Sequence, residues 1–178
     1  MAAMTTTERA ERTEPSTVAG EREMLEGWLE YHRETLAVKC AGLDDARLRE
    51  ASVPPSDLNL LGLVRHMAEV ERGWFRNTLA DEKAGPIYYT DADQDGDFHP
   101  GPDDTWDEAY ATWQAEIARA RELAAPHSLD DFGAGRRTRT TGEPYNLRWI
   151  YTHMIEEYAR HNGHADLLRE RIDGATGD

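Results

Sequence analysis

The chain has 178 residues, 39% of them apolar, with a formal charge of −15 and an isoelectric point near 4.8. That length suits one domain with a sizeable core, and the acidity excludes an extended phosphate-binding surface, so nucleic acid is not an expected partner. A lone cysteine, Cys40, excludes an intramolecular disulfide, and no apolar run approaches the ~20 residues of a membrane span, which makes the cytoplasm the expected location and a membrane an unexpected partner.

In chain order, residues 1–18 are rich in Thr, Glu, Arg and Ala and are expected to be a disordered leader, with Met4 an alternative start and a single domain over 19–178. Helix one is predicted from about Val18 to Ala41, where Met24, Leu25, Trp28, Leu29, Tyr31, Leu36 and Val38 recur at helical spacing before Gly42. Pro54-Pro55 interrupts the chain, and Ser56 or Asp57 supplies a cap for helix two, predicted from about Leu58 to Leu79. Residues 81–103 are dense in Gly, Pro and Asp and predict a long irregular crossover. Within it Asp91–Asp97 (DADQDGD) has the alternating acids of a calcium loop with glycine at the sixth position. Pro102 occupies the twelfth, where a bidentate glutamate is needed, so a solvated acidic loop is the expectation.

Helix three is predicted from a cap at Asp104 or Thr105 to Pro126, with Trp106, Tyr110, Trp113, Ile117, Ala120 and Leu123 along one stripe. Arg136, Arg137 and Arg139 form a local basic cluster that reads as solvated loop, and Thr138–Thr141 as a short extended piece. Helix four spans about Tyr145 to Ile172, with Gly174 as its stop. The fold class expected is all-α, a four-helix bundle with a long crossover between helices two and three.

The chemistry concentrates on helix four. His153, Glu157 and His161 follow one another at four-residue spacing, about 40° apart on the helical wheel, and share their face with Ile150, Met154, Leu168 and Ile172. A carboxylate facing a core costs several kcal/mol unless it is paired, protonated or bound to metal. Helix two offers His66 on a stripe with Asn59, Gly62, Leu63, Val70, Gly73 and Asn77, small and amide groups that leave room around an inward imidazole. His66, Glu157 and His161 match a catalytic zinc pattern of three protein ligands and an open position, and such ligand sets also suit nickel, iron and manganese. Spacing alone leaves open whether His153 or His164 ligates instead. Asn59, Asn77, His153 and His164 are the candidate substrate-binding groups.

Leu63–Phe75 (LVRHMAEVERGWF) and Trp149–Glu170 (WIYTHMIEEYARHNGHADLLRE), closing with Ile172-Asp-Gly174, resemble the DinB/YfiT-like metal-dependent superfamily, in a branch common in G+C-rich bacteria. The resemblance implies a DinB-like four-helix bundle that often pairs into homodimers. It also implies a metal site of one histidine from helix two and an E-x-x-x-H pair from the last helix, here His66, Glu157 and His161. The acidic first member of that pair is similar to mycothiol-dependent maleylpyruvate isomerase. Where many relatives carry Arg-Gly-Gln after the final ligand, this chain has Asn162-Gly163-His164. The implied activity is transfer of a low-molecular-weight thiol such as mycothiol to an electrophilic small molecule. A non-catalytic metal- or ligand-binding bundle and a metal-assisted hydrolase are the alternatives.

Overall fold

The computed structural model describes residues 12–176. The leader expectation for residues 1–11 lies outside these. Residues 12–16 lie along the first helix: the Thr13 amide donates to Glu34, Arg12 sits over the Tyr31 ring, and Pro15 touches Gly27.

Four long helices dominate. α1 covers Glu21–Cys40, and a single turn, α2, covers Asp45–Leu48 under an Asp44 cap. α3 covers Leu60–Glu71, with the Asn59 side chain accepting the Gly62 amide, and continues as a π-helical segment over Arg72–Leu79. α4 (Trp106–Ala124) starts at a Thr105 cap and α5 (Leu147–Asp173) at an Asn146 cap. The side-chain oxygens of these caps satisfy amide donors that the first turn of a helix leaves without partners.

Two sequence expectations are corrected. Helix two is not α-helical throughout: from Arg72 it widens, and the Thr78 hydroxyl donates back to the Gly73 carbonyl at 2.9 Å. Gly73 weakens the helical preference there, and a π turn takes up one extra residue. The extended piece lies earlier than Thr138–Thr141. β1 (Phe132–Arg137) pairs antiparallel with β2 (Pro144–Asn146), and Thr138 and Thr141 close the connecting turn by a hydroxyl–hydroxyl bond. The protein is thus mostly helical with one small hairpin.

α1 packs along α5, α3 along α4 and α5, and the hairpin against the π segment. Leu29 and Leu36, Leu61 and Met67, Trp113 and Ile117, and Ile150 and Met154 bring all four long helices into one apolar core. A polar chain runs through this core. Arg33 on α1 donates two hydrogen bonds to Glu71 on α3 (2.8 and 2.7 Å), Tyr158 on α5 donates to the same carboxylate (2.7 Å), and Trp113 on α4 donates to the Tyr158 oxygen (2.8 Å). Burial and the Glu71 charge push the Tyr158 phenol well above its usual range, so it remains a donor.

The crossover is strapped to α3. Glu69 accepts the amides of Ile87 and Tyr88, and Arg65 binds Asp104 and the Gly96 carbonyl. At Gly62 a Cβ would meet the Phe98 carbonyl oxygen at 2.8 Å. Glycine there lets the crossover reach the helix one turn before His66.

Candidate metal centre

α3 and α5 bring His66, Glu157 and His161 together, each offering a ligand atom within 4.8 Å of the others. His161 Nε2 lies 3.6 Å from Glu157 Oε2, and the imidazoles of His66 and His161 are 4.7 Å apart between centres. Ligands about 2.1 Å from a tetrahedral zinc are separated by about 3.4 Å, so this donor set fits a divalent cation with little movement.

His66 is held by a residue the sequence reading passed over. Its Nδ1 lies 2.7 Å from Asp97 Oδ2, and because a carboxylate only accepts, Nδ1 is the donor, so in the neutral ring it is Nε2 that offers a lone pair. Asp97 closes the DADQDGD stretch expected to be solvated; Asp91, Asp93 and Asp95 are exposed, but Asp97 is only 5% exposed. A carboxylate behind a ligating imidazole fixes the tautomer and raises basicity. Phe98 stacks on His66 with 4.3 Å between rings, covering its other side.

Burial and the neighbouring His66 and His164 push the His161 imidazole down to about 3, so it is neutral at ordinary pH and offers a lone pair. The unfolded chain, with histidine near 6.5, binds the proton first as pH falls. The contribution of His161 to the stability of the metal-free protein is therefore fully present above about 6.5 and is lost as pH drops toward 3. The urea midpoint of metal-free protein is expected to fall between pH 7 and pH 5, with a shallower fall in His161→Gln; equal falls in both proteins would contradict this.

Glu157 is steadied from both sides, by Arg160 at 3.0 Å and by His153 Nε2 at 3.3 Å. His153, Glu156 and Glu157 form a second cluster of ligand type, but Arg160 pairs with both carboxylates and already supplies the compensating charge. Among the other candidate residues, His164 Nδ1 lies 3.3 Å from His161 Nδ1, and His153 sits between Trp74 and Trp149. Asn59 is spent on capping α3, and its amide also reaches the Phe98 carbonyl. The Asn77 amide group exchanges two hydrogen bonds with the backbone of Ala84, fastening the start of the crossover.

A cavity of about 280 Å³ opens beside His66, lined by Trp74, Asn77, Tyr89, Asp97, Phe98 and Arg136 among others. A larger one, about 730 Å³, lies away from this cluster between α1, α4 and α5. Its charged groups are largely paired with one another or with backbone, Arg22 with Glu26 and Arg121 with Glu30. Cys40 is buried, and desolvation raises its thiol to about 12, which removes it as a nucleophile. No helix among the described residues is long and apolar enough to cross a membrane.

A family model described as mycothiol-S-transferase matches residues 24–174. No curated protein matches the chain. Among solved structures, the crystal structure of a conserved protein from Enterococcus faecalis aligns over 89% of this chain and 100% of its own, with a TM-score of 0.61 and 12% identity. At that identity the likeness speaks for fold alone.

Proposed function

Because this chain belongs to the mycothiol-S-transferase family, we propose that it joins a low-molecular-weight thiol such as mycothiol to an electrophilic small molecule, on a four-helix bundle of DinB type. The single observation carrying this reading is the convergence of His66, Glu157 and His161, with Asp97 fixing the tautomer of His66. These three residues would hold a divalent cation, zinc first among the candidates, with nickel, iron and manganese also suited to the set. When bound, such an ion supplies a Lewis-acidic position that favours the thiolate of a thiol otherwise mostly protonated at neutral pH.

The protein's own contribution is positioning and charge. Asp97 keeps the His66 lone pair directed at the centre, Arg160 and His153 restrain the Glu157 carboxylate, and Phe98 shields the His66 ring from water. The cavity beside His66 offers the second substrate an approach from the crossover side. In the transfer the thiol proton passes to solvent, sulfur bonds to the electrophilic carbon, and the leaving group departs with its electron pair.

The test is turnover of 1-chloro-2,4-dinitrobenzene with a panel of thiols. A rate above background is expected with mycothiol, abolished by chelation and restored by zinc. A panel yielding no metal-dependent rate would remove the transferase reading, and a rate requiring no thiol would turn it into metal-assisted hydrolysis.

A further inference from the structure

We propose that the cavity beside His66 takes an electrophile bearing a carboxylate, which Arg136 anchors while the planar apolar part lies along Trp74. This deepens the transferase reading and rests on its placement of the electrophile in that cavity.

The inference begins with two glycines. On β1, a Cβ built at Gly133 or Gly135 would collide with the backbone carbonyls of Thr78 and Asn77, so the hairpin lies against the π segment only because both positions lack side chains. That docking carries Arg136 to the cavity wall, its guanidinium carbon 5.7 Å from the centre of the Trp74 ring. Trp74 is itself fixed by Tyr145, Trp149 and His153, with ring centres 4.5–5.1 Å away, and His153 touches Glu157. An aromatic wall therefore leads from Arg136 to the ligand cluster.

Charge pairing singles out Arg136. Of the two arginines lining this cavity, Arg72 is engaged by Glu116 and the Gly85 carbonyl, and Arg160 on α5 is engaged by Glu156 and Glu157. Arg136 is exposed, has no carboxylate partner among the described residues, and turns its guanidinium over the Trp74 ring. Of the acids lining the same space, Glu69 accepts two backbone amides and Asp97 accepts from His66, while Asp95 is exposed to solvent. A guanidinium with unused donors beside an aromatic face recognises a planar carboxylate bidentately.

Calorimetry on zinc-loaded protein with benzoate and benzamide as non-reacting probes tests this apart from turnover. Benzoate is expected to bind at least tenfold more tightly than benzamide, with the preference lost in Arg136→Ala and partly kept in Arg136→Lys. With mycothiol, 4-(bromomethyl)benzoate is expected to show a KM raised about tenfold by Arg136→Ala, while the KM of its methyl ester rises by less than about threefold. Equal binding of the two probes by the unaltered protein overturns the proposal, as does a benzoate preference surviving Arg136→Ala, which would place the carboxylate on the metal. Arg136-dependent benzoate binding without thiol transfer supports this assignment while removing the transferase reading; transfer to acid and ester with equal KM does the reverse.

Discussion

His66→Ala, Glu157→Ala and His161→Ala proteins are each expected to purify with less than a tenth of the metal bound by the unaltered chain and to lose metal-dependent thiol transfer. On the proposed reading each substitution removes one of three ligands, and two ligands hold a cation far more weakly than three. Asp97→Asn is expected to be milder, a 10–100-fold weaker metal affinity of about the size seen when a carboxylate behind a ligating histidine is lost. Metal analysis with competition against a chromogenic chelator checks the series, and circular dichroism confirms that helices remain. Unchanged metal content in Glu157→Ala or His161→Ala would show that the assigned ligands are wrong, and an Asp97→Asn protein as depleted as the ligand variants would make Asp97 a ligand itself.

Glu71→Ala is expected to be strongly destabilising although it lies away from the metal centre. It takes from Arg33, whose side chain is 5% exposed, its bidentate partner, leaving it only Glu30 at 2.6 Å, and deprives Tyr158 of its acceptor. Removing one member of a buried pair costs about 3–5 kcal/mol. In a chain of this size each kcal/mol lowers Tm by about 2–4 °C, so a fall on the order of 10 °C is expected by thermal unfolding. The double variant Arg33→Met/Glu71→Leu is expected to recover much of that loss, since it removes both charges and not one. A single-variant fall under about 3 °C would mean that water reaches Arg33 and that the network contributes little.

These two predictions differ in how much of them was legible beforehand. Glu157 and His161 stand four apart on a helix whose apolar residues share their side, and His66 lies among small residues on another. Local periodicity was enough to nominate all three, because a regular helix converts spacing into direction. The four long helices were legible for the same reason, from their apolar stripes, although helix two is capped by Asn59 and not by Ser56 or Asp57. Asp97 was not: it lies in an irregular loop, 31 residues from the histidine it serves, in an acidic run that resembles any solvated loop. For Arg33 and Glu71 the sequence carries no sign that they pair across 38 residues inside the core. The π segment was hidden because its residues keep a helical hydrophobic pattern, and the hairpin because β2 has only three residues, too few to show alternation.

Helices, their apolar faces and the shared direction of Glu157 and His161 follow from dihedral preference and burial within a few turns of chain, and so can be read locally. Which carboxylate orients His66, which charges are buried together and which arginines line the cavity emerge from long-range packing alone. Such pairings depend on where loops return to the core, and that is fixed by close backbone approaches such as Gly62 to Phe98 and Gly135 to Asn77.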